Sequence, residues 1–182
     1  MIENIRNSFI AGILIGLGCI ANMSTTIPVL GPFLFSLGLI TVIVQGRHLY
    51  TGSIGYLKSY KDMPYLIVMI LSNLIGIAFI CGLFTEYIDS SPICDIKYDE
   101  TFYEAYVKSI GCGMLMFIAV EGYRLTKNLL SVILPVMTFI ICGFDHCIAN
   151  YGYMILNGDF ICWQLPIWIV GNSIGSLIIS KI

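Results

Sequence analysis

The run Gly143-Phe144-Asp145-His146-Cys147-Ile148-Ala149-Asn150 sets an acid beside a histidine within a stretch otherwise apolar enough to cross a membrane. Ionisable side chains at that depth are costly, and they persist where they face a bundle interior or a permeation pathway. The chemistry open to such a pair is proton exchange. Imidazole has an unperturbed pKa of about 6.5, so its surroundings decide whether it carries a proton at physiological pH. A functional role rests on His146; its structural alternative is a hydrogen bond that braces an irregular turn. For Asp145 the expected role is to accept backbone N–H groups freed at that turn, or to pair with Arg47, ahead of direct contact with a solute. Asp145, His146 and nearby cysteines could also be read as a membrane-embedded metal centre, since His and carboxylate are suitable ligands. The chain has only two histidines and no second clustered ligand set, so no metal and no cofactor is expected.

A second polar interruption, Gln45-Gly46-Arg47-His48-Leu49-Tyr50-Thr51-Gly52, lies in another apolar stretch. Arg47 and His48 could attract anions, although a buried arginine is more often committed to a carboxylate. The Tyr50 hydroxyl could bond a solute or Asp145. Lys108 follows Glu104 by four residues, so a helical ion pair accounts for it as well as a pore-lining role does. Glu121 precedes Arg124 by three and reads as an interfacial pair. The cysteines number seven, and all but Cys94 lie in or beside apolar stretches, where a thiol acts as a small hydrophobe. Cys94 sits in a polar loop, and its redox state stays open.

Elements able to hold these residues follow from composition. With 58% hydrophobic and 11% charged residues, the chain is far more apolar than a soluble domain, and its 182 residues leave room for about six spans. No basic arm or aromatic-basic stripe points to nucleic acid. The first seven residues lack the basic region and cleavage site of a secretory signal, so the first apolar segment is expected to be retained. Apolar segments fall at roughly 8–26, 31–57, 64–86, 102–123, 128–156 and 160–180. Arg6, Lys58, Lys61, Arg124, Lys127 and Lys181 share one side if the segments alternate, and the acidic 87–101 loop carries Lys97 alone. The positive-inside rule then puts both termini of this multi-pass chain in the cytoplasm.

The second and fifth segments are overlong, and each is interrupted by a glycine-bearing polar run. Such breaks are tolerated at membrane depth only where protein or water covers the freed backbone. Gly46 and Gly143 are 97 positions apart, Asn73-Leu74-Ile75-Gly76 and Asn172-Ser173-Ile174-Gly175 are 99 apart, and Leu17-Gly18-Cys19 and Ile110-Gly111-Cys112 are 93 apart. These offsets predict two three-helix repeats, about 8–86 and 102–180, inverted in topology within one transmembrane domain. Paired broken helices place a solute site near the midplane.

The chain resembles the formate/nitrite transporter family over nearly its whole length. The resemblance is carried by Ala11-Gly12-x-x-Ile15-Gly16-x-Gly18, Phe35-Ser36-Leu37-Gly38-Leu39-Ile40, Leu49-Tyr50-Thr51-Gly52, the two Asn-x-x-Gly motifs and above all the octapeptide at 143–150. It implies an all-α, aquaporin-like protomer of six helices, broken in the second and fifth, assembled as a homopentamer with one pore per protomer. It implies that His146 is the central pore histidine, Thr51 its hydrogen-bonding partner and Leu49 a gate element. Phe35 and Leu39 fall at the cytoplasmic constriction, Phe139 and Met116 near the outer one, and Lys97 at an anion-attracting vestibule. Gly113 stands where the family usually has asparagine beside the histidine, Asp145 where it has glutamate, and Tyr50 where it has phenylalanine; the first change removes an amide and the volume of a side chain from the expected filter.

The function expected is transport, not catalysis: passage of a small monovalent weak acid of the formate, nitrite or hydrosulfide type, linked to protons through His146, across the cell membrane. A channel for ammonium, ammonia or urea is the second transport reading, and a non-conducting sensor or assembly subunit is a third.

Overall fold

The computed structural model describes residues 2–181 and, among them, only helices and connecting turns. Helices α1 (Ile2–Met23), α4 (Met63–Gly82) and α6 (Phe102–Thr126) form where long apolar runs lack internal breakers. Each is long and apolar enough to cross a membrane alone, α4 together with the 3-10 turn that leads into it. A capping box starts α6: the Thr101 hydroxyl accepts the Glu104 N–H, and the Glu104 carboxylate accepts the Thr101 N–H. The remaining spans are shorter. The second is split into α2 (Leu30–Val44) and α3 (Tyr50–Ser53), and the fifth into α7 (Leu130–Ile141) and α8 (Cys147–Leu156). Between the third and fourth spans lies α5 (Ser91–Asp99), and α9 (Leu165–Ile179) closes the chain. The sixth span thus starts at Leu165 rather than 160, with Pro166 in the first turn of its helix.

Both breaks have one local cause. At Gly46 and Gly143 the backbone turns left-handed, with φ of 62° and 66°, a conformation that glycine adopts without a Cβ penalty. Arg47 N–H then bonds Val42 O and Gly46 N–H bonds Ile43 O; Phe144 N–H bonds Phe139 O and Gly143 N–H bonds Ile140 O. This is the same Schellman ending twice. Helix resumes at Tyr50 and at Cys147, so each break is shorter than its polar run suggests.

Packing repeats in the same way. α1 packs on α2 and α4, α6 packs on α7 and α9, and α2 meets α7 where the halves join. Each half therefore places a broken span beside two continuous helices, in two inverted repeats. Close crossings depend on glycine at two matched positions. A Cβ on Gly12 would lie 2.1 Å from Asn73 O, and one on Gly113 would lie 2.2 Å from Asn172 O.

That contact corrects two expectations. Gly113 does not open the pore; its missing side chain is the space that lets α9 approach α6. The first helices of the two repeats also match at an offset of 101, Gly12 with Gly113, rather than at the 93 read from Leu17 and Ile110. Small residues recur every turn or so along α1 and α6, so a three-residue match slides along the helix by about two turns.

Gly113→Ala is therefore expected to lower the thermal midpoint of the purified protein in detergent. Overpacking costs about 1–3 kcal/mol, and here the clash is with backbone. Gly82→Ala, whose added carbon would meet nothing nearer than 4.0 Å, is the matched control and should leave the midpoint near wild type.

Candidate functional site

A helix broken inside hydrocarbon frees backbone groups that water cannot reach, and each must find a partner in the protein. Two asparagines supply them in parallel. The Asn73 amide nitrogen donates to Ser8 O (2.7 Å) and His48 O (2.9 Å), and its oxygen accepts Tyr50 N–H at 2.9 Å. The Asn172 amide nitrogen donates to Ser109 O (2.8 Å) and Asp145 O (2.7 Å), and its oxygen accepts Cys147 N–H at 2.8 Å. Each asparagine ties the last residues of a break to the first of the resumed helix and to the neighbouring continuous helix. Both are fully buried. The sequence showed these asparagines only as paired Asn-x-x-Gly motifs; the offset of 99 was the one signal that they do the same job.

Held in this way, the two resumed helices present Thr51 and His146 to each other. Thr51 Oγ1 lies 2.9 Å from His146 Nε2, and both residues are buried. His146 also caps α8, its Nδ1 accepting the Ala149 N–H at 3.0 Å. A nitrogen that accepts from a backbone N–H carries no hydrogen of its own, so the neutral ring bears its proton on Nε2 and donates to Thr51 Oγ1. Among the described residues the Thr51 hydroxyl has no acceptor for its own hydrogen. By the offset of 97, His146 stands where the first repeat has Leu49, which begins α3 without a side-chain cap.

Two cavities approach this pair. One, of about 290 Å³, is lined by Leu39, Leu49 and Gly52 at its apolar floor and by Arg47, Tyr123, Arg124 and Lys127. The other, of about 140 Å³, is lined by Phe139, Phe144, Asn150 and Tyr153, with Lys97. They lie toward opposite ends of α6: Val120 and Arg124 border the first, whereas the second adjoins Lys97, which shares Glu100 with Lys108. Lys108 and Val120 are roughly 18 Å apart along the helix. Thr51 and His146 line neither cavity. With them stand Phe35 and Phe139, packed edge to face at 5.7 Å, and Phe139 stacks on the His146 ring at 5.7 Å. Phe35 and Phe139 thus form one aromatic layer in mutual contact, and only Leu39 and Leu49 stand apart on the first cavity. Met116 is buried and lines neither cavity, one turn from Val120 and two from Lys108.

The second cavity is backed by buried charge. Lys97 Nζ lies 2.6 Å from Asp145 Oδ1 and 2.9 Å from Glu100 Oε1, and it also donates to Gly143 O. Lys108 shares Glu100 at 2.9 Å, and the Asn150 amide donates to Asp145 at 2.7 Å. Lys97, expected at an anion-attracting vestibule, is a buried, doubly paired lysine on the cavity wall, because its loop folds into α5 and packs on α8. Glu100, which the sequence did not single out, joins the two lysines. Lys108 pairs with Glu100 and not with Glu104, whose carboxylate is spent on the Thr101 capping box. Cys94, on the same helix, is a free and buried thiol that burial pushes up to about 11.

Other expected contacts run elsewhere. Arg47 is bound to Asn7 and Gln45 on the far side of the pair from Asp145, and no bridge joins them. His48 bonds the Tyr65 hydroxyl at 2.9 Å, away from both cavities. The Tyr50 hydroxyl bonds Ser173 at 2.8 Å and not Asp145. Glu121 does pair with Arg124. Among the described residues no group of three or more His, Cys, Asp or Glu side chains could hold a metal ion.

Comparison with known proteins gives a match between residues 2–182 and the family model described as formate/nitrite transporter. The chain is 28% identical over 151 residues to the formate channel FocA of Haemophilus influenzae, covering 70% of this chain and 53% of that protein. It therefore spans about half the length of that relative. Among solved structures, one described as a pentameric formate channel with formate bound aligns at a TM-score of 0.78 and 20% identity, covering 98% of this chain and 92% of that one. A second, described as an FNT family ion channel, aligns at 0.84 and 20%, covering 97% and 86%. The two structures share the fold.

Asn172→Ala is expected to leave three buried backbone groups without partners, at about 1–3 kcal/mol each, and to abolish a cooperative thermal transition in detergent. Asn172→Asp should fail as well, because two of the three bonds are donated by the amide; a wild-type midpoint for this variant would refute the clamp. Lys97→Met should cost about 3–5 kcal/mol by stranding buried carboxylates. Adding Asp145→Asn should recover part of that loss in the same melting assay.

Proposed function

The chain belongs to the formate/nitrite transporter family, and on that premise we propose that it forms a channel for a small monovalent weak acid, of the formate, nitrite or hydrosulfide type. In this reading one transmembrane domain supplies one pore, copies assemble as a homopentamer in the cell membrane, and both termini and the first cavity face the cytoplasm. The observation that carries the proposal is the arrangement of two cavities on either side of an aromatic layer whose polar contribution is the Thr51–His146 pair.

A solute that crosses between the cavities passes Phe35, Phe139 and the pair. An unpaired ion in so apolar a step costs many kcal/mol, whereas protonating a weak acid costs about 1.4 kcal/mol per pH unit above its pKa. The acid therefore crosses neutral and ionises again beyond the layer. His146, donating through Nε2, orients the Thr51 hydroxyl, whose own hydrogen is free to bond the passing solute. The amino-terminal end of α8 adds a weak positive field at the same depth. One observation favours a second reading: Lys97 is matched by Asp145 and Glu100, so the outer cavity carries little excess positive charge. A neutral or weakly basic solute such as ammonia or urea would meet no barrier there.

A liposome flux panel of formate, nitrite, hydrosulfide, ammonium and urea separates these readings. Formate flux is expected to rise up to about tenfold per pH unit of acidification, following the neutral acid. His146→Asn or Thr51→Val should slow it about tenfold, the worth of one hydrogen bond at about 1–1.5 kcal/mol. Movement of ammonium or urea alone would overturn the weak-acid reading. Unchanged rate and pH response in His146→Asn would remove the histidine from the mechanism.

A further inference from the structure

The first cavity holds more positive charge than a monovalent solute needs. Arg47, Arg124 and Lys127 line one space of about 290 Å³, close to the lower size of small-molecule sites. Among the described residues Glu121 is the one carboxylate paired with any of them, through Arg124. Arg47 is not neutralised: its Nε donates to Gln45 Oε1 and its Nη1 to Asn7 Oδ1 at 2.7 Å, both uncharged amides. These amides fix the guanidinium in place and leave its charge and its remaining N–H groups available. Lys127 lies over the Tyr123 ring with its ammonium 5.5 Å from the centroid, a contact that orients the lysine without cancelling its charge. The carbonyl end of α6 opposes anions here, but Tyr123 O is already satisfied by Lys127 N–H and Gly122 O by the Thr126 hydroxyl.

We propose that this cavity binds a multivalent phosphate-bearing anion, which covers the Leu39 and Leu49 floor and closes the pore mouth. Arginine forks suit phosphate oxygens, and an anion of two or more charges balances the site as a monovalent one does not. A phosphate group keeps charge at neutral pH, so it cannot cross the aromatic layer as a neutral species would. The ligand stays at the floor and acts as a plug. Closure of the mouth rests on the transport reading, whereas binding at the site is measured without it.

Calorimetric titration of inorganic pyrophosphate into the full chain, held in phosphatidylcholine nanodiscs at low ionic strength, tests the site. Binding is expected, with affinity reduced about tenfold in Arg47→Gln and again about tenfold in Lys127→Gln, and falling as salt rises. Lys127→Gln removes only the contact with Tyr123, so it keeps the test valid if Arg47→Gln fails to fold. A second arm adds phosphatidic acid to the nanodiscs: loss of pyrophosphate binding there assigns the site to a lipid headgroup, and unchanged binding assigns it to a free anion. No binding by wild type in either arm, or equal binding by wild type and both variants, overturns the proposal. In liposomes, internal pyrophosphate should slow formate flux severalfold in wild type and less in Lys127→Gln; equal slowing in both would refute the plug.

Discussion

The constraint on which the rest depends is the need to satisfy backbone groups freed by two helix breaks at membrane depth. An asparagine side chain offers two donors and an acceptor in one plane, and Asn73 and Asn172 each use all three. Neither aspartate nor a hydroxyl could make the same set. Because each amide also grips the neighbouring continuous helix, α4 and α9 must come very close to α1 and α6, and glycines 12 and 113 provide that closeness. Clamp, crossing and break form one unit that the chain builds twice.

The two units differ where chemistry is wanted. At the start of the resumed helix, the first repeat has Leu49 and the second has His146. The histidine both caps its own helix and reaches across to Thr51 of the other repeat, so the join between the halves is a hydrogen bond set among phenylalanines. Buried charge is kept to one side. Two lysines and two carboxylates balance behind the second cavity, yet one oxygen of each carboxylate lacks a partner among the described residues. Such a network costs more to desolvate than an apolar packing of the same volume. Its gain is positional: it anchors α5 to the break and holds Lys97 at the wall of the cavity.

Much of this was legible in the sequence. Glycine-bearing polar runs within apolar stretches marked both breaks, and the recurring offsets marked the inverted repeats. Gly46 and Gly143 end their helices identically, and the asparagine motifs align at the spacing read from them. The Thr51–His146 bond came from family resemblance, since pattern alone could not tell which residues of two distant breaks would meet. Gly113 is placed in the filter by resemblance, which does not say which neighbour a missing side chain faces. The i,i+4 spacing offers Glu104 to Lys108 as one of two readings, and it takes no account of the competing cap at Thr101. The burial of Lys97 and its pairing with Glu100 are hidden by the polar composition of their loop, which gives no sign that α5 folds inward. Of the two readings of Arg47, the pairing with Asp145 rests on charge alone, whereas the turn at Gly46 sends the side chain to Asn7 and Gln45.

The second break fixes His146 as a neutral ring that accepts at Nδ1 and donates from Nε2 to Thr51. Nitrogen-15 NMR of histidine-labelled protein in bilayers tests it most directly, because His48 is the only other histidine and a His48→Gln variant leaves a single signal set. The expected result is a protonated Nε2, an unprotonated Nδ1, and an Nε2 resonance that moves when Thr51 is replaced by valine. A proton on Nδ1, or an Nε2 signal indifferent to residue 51, would contradict it.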